Sequence, residues 1–153
     1  MNSKDKGNIG EALALAEFVK YGVCVSVPYG DNARYDLVAD FNGKLNRVQV
    51  KYCNQITAND SVTCPCISSK NHTTNKKYDT YINDVDYFVF YIVNWNQLIL
   101  VPIDYIGNRK TITFRKNKAL TGQTANVNYV DDFTFDKILD KNQKLWQFEK
   151  FLI

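Results

Sequence analysis

The stretch from Arg34 to Lys51, RYDLVADFNGKLNRVQVK, reads as one β-hairpin, and the rest of the chain is best understood by working outward from it. Tyr35 to Phe41 alternates, Leu45 to Tyr52 alternates again, and Asn42-Gly43 between them tolerates the positive φ that a type I′ turn needs at both central positions. With Asn42-Gly43 as the two-residue loop, Phe41 pairs with Lys44, and counting back along both strands brings Asp36 opposite Gln49. Lys51 then lies one diagonal step away. Opposed cross-strand residues sit about 4.5–5.5 Å apart and diagonal ones roughly 7–8 Å, so an acid, an amide and a lysine can all reach one small ion or one phosphate.

These residue types suit metal-assisted hydrolysis of a phosphodiester. A carboxylate and an amide carbonyl are hard oxygen ligands of the kind Mg²⁺ accepts, and Mg²⁺ takes few carboxylates, completing its shell with water and phosphate oxygen. A lysine beside them supplies a point charge, either to hold the attacking water or to neutralise charge that builds up in the transition state. The plain alternative is an exposed sheet face whose polar residues meet water, as on any half-solvated antiparallel sheet.

An early helix carrying a glutamate, followed by a hairpin with D-x(n)-(D/E/Q)-x-K, resembles the PD-(D/E)XK nuclease superfamily. The segment KGNIGEALALAEFVKYGVCVSVPYGDNARYDLVADFNGKLNRVQVKY, with DVDYFVFYIV and LILVPID after it, is similar to the small endonucleases of that superfamily that include a group I intron-encoded homing endonuclease. The resemblance runs from about Lys6 to Asp104, and its most specific parts are YDLVAD and RVQVKY. It implies Asp36 as the acid, Gln49-Val50-Lys51 as the closing motif, and Glu11, Asp36, Gln49 and Val50 around Mg²⁺ or another divalent cation. Glu11, Asp36, Gln49 and Lys51 are then the catalytic set. It also implies intron homing, a bacterial cytoplasmic setting and a double-stranded DNA substrate. Two positions depart from the superfamily pattern: residue 35 is Tyr where Pro is expected, and residue 49 is Gln where an acid is expected. The second removes one negative charge from the metal site, which predicts weaker metal binding and leaves room for a non-cutting DNA-binding relative.

The remaining chain frames this hairpin. At 153 residues and 45% apolar composition, one domain spanning 1–153 is expected, with a core of about 6–104 and a C-terminal extension over 105–153 for DNA contact or oligomerisation. No run approaches the ~20 apolar residues of a membrane span, and a formal charge of +3 is too small to argue nucleic-acid binding from the total. Lys6 to Tyr21 predicts the first helix, with Asn8 or the Ser3 region near its start and Gly22 just past its end, and with Ile9, Ala12, Leu13, Leu15, Ala16, Phe18 and Val19 as a wide apolar stripe. Glu11 shares the side of Leu15 and Phe18, an edge position where a charge needs a cation, a proton or solvent. Val23 to Val27 predicts a short strand, and the loop after it places Arg34 and Tyr35 at the lip of the site, where a guanidinium can grip phosphate.

Beyond Lys51, Tyr52 to Ile56 and Val62 to Ile67 predict a second hairpin that extends the sheet. Cys53, Cys64 and Cys66, with His72 nearby, match no standard zinc knuckle and are expected to be reduced packing residues. Ser68 to Lys77 is the most DNA-like segment: Ser69, Lys70, Asn71, Thr73, Asn75, Lys76 and Lys77 suit phosphate oxygens and base edges. Arg109, Lys110, Arg115 and Lys116 form a second candidate surface for the DNA backbone. Val85 to Val93 and Gln97 to Ile103 predict buried strands. Phe135, Ile138, Leu139, Leu145, Trp146, Phe148, Phe151, Leu152 and Ile153 either cap the core or make an oligomer contact, and the apolar end of the chain favours the contact. The expected architecture is α/β: a restriction-endonuclease-like mixed central sheet, an N-terminal helix packed on it and a C-terminal helical segment. The expected activity is Mg²⁺-dependent, site-specific double-strand cleavage by at least a dimer, with a tetramer plausible for a long target. A Holliday-junction resolvase or a restriction-type enzyme would use the same constellation.

Overall fold

The computed structural model of the protein describes residues 1–57, 59–68, 79–118, 122 and 125–142. In chain order the elements are helix α1 (Ser3–Lys20), strands β1 (Cys24–Ser26), β2 (Leu37–Phe41), β3 (Lys44–Cys53), β4 (Ser61–Pro65), β5 (Tyr87–Ile92) and β6 (Gln97–Pro102), the single-turn helix α2 (Ile103–Ile106), and strands β7 (Thr111–Arg115) and β8 (Asn128–Tyr129). Residues 135–142 are helical and are called α3. None of the helices described is long and apolar enough to cross a membrane.

The hairpin forms in the register its turn demands. Asn42 and Gly43 take φ of 56° and 92°, Asp40 Oδ1 accepts a 2.6 Å bond from the Gly43 N–H, and Phe41 pairs with Lys44. The central sheet runs β1-β2-β3-β5-β6. All its neighbours are antiparallel except β3 and β5, so it is the mixed sheet expected. The parallel join is fastened at its start by Asp86, whose Oδ2 accepts 2.7 Å and 3.2 Å bonds from the Arg47 N–H and Nε. Val48, Val50 and Val89 turn toward α1, while Phe88 and Phe90 turn toward a second sheet of order β4-β7-β8, where Phe90 meets Phe114 at 5.7 Å. Both faces of β5 are therefore covered, which is why its sequence is nearly continuous in apolar residues.

Three expectations need correction. Helix α1 begins at Ser3 rather than Lys6, because Asn2 caps it: its side-chain oxygen accepts a 2.9 Å bond from the Asp5 N–H. Its buried face is narrower than the apolar stripe. Gly10, Ala14 and Phe18 are buried, whereas Ile9 and Val19 are exposed. A Cβ on Gly10 would stand 3.3 Å from Val50 Cγ1, so the small residues let the helix lie close on β3. The second hairpin does not extend the central sheet. Its reversal is made, with Ile56 bridged to Val62, but the apolar β5 takes the place beside β3 and β4 pairs with β7 instead.

The third correction concerns the C-terminal apolar residues. Phe135, Ile138 and Leu139 are buried, and the Phe135 ring meets Phe18 at 4.9 Å and Tyr21 at 5.9 Å. These residues cap the core. Leu145, Trp146, Phe148, Phe151, Leu152 and Ile153 lie outside the described residues.

Candidate active site

The site forms where β2 stops and β3 continues. The ladder ends at Leu37 opposite Val48, and the Asp36 N–H donates to that same Val48 carbonyl at 2.9 Å. Asp36 and Leu37 thus both face Val48 as in a β-bulge, and it is the Asp36 side chain that meets Gln49. Past that point β3 has no backbone partner on the β2 side among the described residues, and the Asp36 carboxylate stands there. Its Oδ2 accepts from Gln49 Nε2 at 2.5 Å and from the Val50 N–H at 2.7 Å. N–H and C=O of one residue leave a strand on the same side, so the Val50 carbonyl opens into the same notch. It receives only a 3.3 Å bond from Gln49 Nε2. The Gln49 amide thus turns its nitrogen to these two oxygens and its Oε1 away from them.

Glu11, on α1, lies within electrostatic range of Asp36. Its carboxyl is pushed above the usual value by burial and then by the negative charge of Asp36. Asp36 is also held above the ordinary carboxylate range: burial raises it, and the Val50 N–H, the Lys51 charge and the Gln49 amide only partly offset that. Two acids that resist ionisation beside each other mark a place where a cation would be welcome. Among the described residues no cluster of three His, Cys, Asp or Glu could hold a metal through side chains of those types alone. The oxygen donors here are two carboxylates, one amide oxygen and one backbone carbonyl, a hard set that fits Mg²⁺.

Lys51 follows on β3, and its charge is felt at Asp36. Its Nζ donates to Tyr81 Oη at 3.2 Å and to the Ile67 carbonyl at 3.4 Å, and lies 5.0 Å from the centre of the Tyr81 ring. Tyr81 and Ile67 were missed by sequence reasoning. No local pattern joins the end of the Val62–Ile67 strand to Tyr81; the bridge between Ile67 and Thr80 and the Ser68 N–H bond to the Asp79 carbonyl bring the two segments together.

The sequence-predicted DNA contacts divide. Ser69, Lys70, Asn71, Thr73, Asn75, Lys76 and Lys77 lie outside the described residues. Arg34 stands beside the site, but its guanidinium is engaged within the molecule: Nε donates to Asp84 Oδ2 at 2.9 Å, Nη2 to the Thr80 carbonyl at 2.9 Å, and the group lies 4.7 Å from the Tyr81 ring centre. Tyr35 is half-buried and packs on the core. Arg109 bonds the carbonyls of Tyr105 and Ile106 at the end of α2, and Lys110, Arg115 and Lys116 follow on and around β7. Cys53, Cys64 and Cys66 are buried free thiols. A hydrogen bond with Cys53 and burial push the Cys64 thiol up, and burial pushes Cys66 up to about 12, so both stay protonated packing groups.

A family model described as PD-(D/E)XK endonuclease matches residues 1–136. Among solved structures, a bacterial homing endonuclease, I-Ssp6803I, is similar with a TM-score of 0.68 at 23% identity, over 95% of this chain and 97% of that one. At that identity the likeness carries the fold alone. No curated protein matches the chain.

Proposed function

The chain belongs to the PD-(D/E)XK endonuclease family, and from that premise we propose that it is a site-specific double-strand DNA endonuclease of homing type that works with Mg²⁺. The observation that carries the reading is the Asp36 carboxylate held against Gln49 and Val50 where β2 ends, with Glu11 and Lys51 at its sides. Glu11, Asp36, the Val50 carbonyl and, with its amide turned over, Gln49 Oε1 would hold the cation. When bound, it supplies a Lewis acid for the attacking and leaving oxygens. The chain's own residues do the rest. The Val50 N–H locks one carboxylate oxygen of Asp36 and leaves the other free. Lys51 brings a positive charge to the reacting phosphate or orients the attacking water.

Residues 1–153 act in this reading as one nuclease domain, with 105–153 as an extension for DNA contact or association. Ser69, Lys70, Asn71, Thr73, Asn75, Lys76, Lys77, Lys110, Arg115 and Lys116 are proposed for DNA contact. Arg34, Tyr35 and Arg109 belong to the same proposed surface, their side chains held by contacts within the molecule. One such site cuts one strand, so a double-strand cut calls for at least two copies.

The test is cleavage of a diverse duplex library by purified protein, with Mg²⁺ and with EDTA, the ends being read by sequencing. Metal-dependent cuts at one long site are expected. Cuts at a short motif would indicate a restriction-type enzyme, cutting confined to four-way junctions a resolvase, and salt-sensitive binding without cutting a DNA-binding module.

Gln49 gives a separate prediction. Gln49→Glu restores an acid but replaces the Nε2 donor with a like charge against Asp36 Oδ2. The variant is expected to bind Mg²⁺ about 3–10-fold more tightly, since a further charge adds to the site's attraction for the cation. Its metal-free form should melt lower than wild type. Titration calorimetry reads the first effect and thermal unfolding in EDTA the second; weaker Mg²⁺ binding would remove Gln49 from the ligand set.

A further inference from the structure

Lys51 has a flexible four-carbon stem, and an ammonium on such a stem does not orient itself. It carries three N–H donors and no acceptor. Two of those donors are already taken, by Tyr81 Oη and by the Ile67 carbonyl. The Ile67 carbonyl is fixed by the backbone bridge to Thr80.

The tyrosine oxygen is fixed as well. Tyr81 is buried, with 6% of its surface exposed, and its ring stands edge-on to Phe88 at 5.4 Å. Phe88 stacks on Phe90, and Phe90 meets Phe114 of the second sheet. Arg34 covers the Tyr81 ring at 4.7 Å and is itself tied to Asp84 and the Thr80 carbonyl. One ring is thus flanked by two cations, a placement its negative face favours.

We propose that Tyr81 is a positioning residue for Lys51: its hydroxyl, together with the Ile67 carbonyl, sets the ammonium so that the remaining N–H is presented toward Asp36 and Gln49. The charge of Lys51 is felt at the Asp36 carboxyl, so that N–H works within electrostatic reach of the site. Arg34 holds the ring in place. The role rests on the reading of Lys51 as a catalytic residue.

Tyr81→Phe keeps the ring and removes only the acceptor. In competitive acetylation of the metal-free full chain with acetic anhydride, read lysine by lysine by mass spectrometry, Lys51 should label about threefold faster relative to Lys44 and Lys116, in keeping with one lost hydrogen bond. Single-turnover cleavage of a duplex selected with the wild type should slow about tenfold, while its Kd stays within about twofold. A melting temperature close to that of wild type shows that the ring still packs. An unchanged labelling ratio overturns the role, as does an unchanged cleavage rate, or a loss of DNA affinity as large as the loss of rate. If the wild type cuts no duplex, the nuclease reading fails, and the labelling ratio alone decides whether Tyr81 holds Lys51.

Discussion

Lys51→Ala is expected to lower single-turnover cleavage by about 10²–10³-fold, the range found when one preorganised transition-state donor is removed. Duplex binding should stay within a few-fold of wild type. The distinction follows from geometry. Lys51 lies on β3 beyond the end of β2, within electrostatic range of Asp36, and in the proposed site it would meet a single phosphate, whereas the proposed binding surface would draw on many basic and polar residues. The substitution also leaves Tyr81 Oη and the Ile67 carbonyl without their shared donor, which costs about 1 kcal/mol of stability and is read as a modest fall in melting temperature. Cleavage at the normal rate by this variant would sink the proposed site.

Asp36→Asn is expected to abolish detectable cutting while making the metal-free protein more stable near pH 8. The asparagine carbonyl can accept the same two N–H donors, from Gln49 and Val50, that now converge on Asp36 Oδ2. What it removes is a charge that burial disfavours and that also raises Glu11. Both acids have folded-state pKa values above their ordinary ones, so the native state binds more protons than the unfolded chain, and stability falls as pH rises through that window. The cost is absent where both groups are protonated and complete above their raised values. The Asn variant should therefore melt about 2–4 °C higher than wild type in EDTA near pH 8, the shift that roughly 1 kcal/mol produces in a chain of this size. The gain should fade as pH falls toward the usual carboxylate range. Saturating Mg²⁺ should reverse the order, because only the wild type gains from the cation. An equal or lower melting temperature in EDTA, with the fold intact, would mean that Asp36 is not under the charge strain described.

The hairpin was the most legible part of the protein. Asn42-Gly43 restricts the turn to positive φ and the turn sets the register from Phe41 opposite Lys44 to Leu37 opposite Val48; each step is local, so residue types and spacing suffice, and although Asp36 leaves that register its side chain still meets Gln49. The apolar run of β5 likewise announced a strand covered on both faces. Glu11 was visible only as an edge glutamate until the family resemblance assigned it.

Other features could not be read in this way because they depend on contacts between distant segments. Whether β4 would continue the central sheet turned on which strand competed better for the edge of β3, and β5 took it. The buried face of α1 was decided by where Gly10 lets the helix approach Val50, not by the width of its apolar stripe. Arg34, reasonable as a phosphate grip by position, is held by groups 46 and 50 residues away. Tyr81 carries no signal of its own, and acquires its place beside Lys51 only when the Ile67–Thr80 bridge closes. The sequence by itself determined the hairpin, its register and the polar trio, since φ preferences and strand alternation act over a few residues. The tertiary structure alone decided what surrounds that trio and holds its lysine, since packing and long-range hydrogen bonding choose among partners that no local pattern ranks.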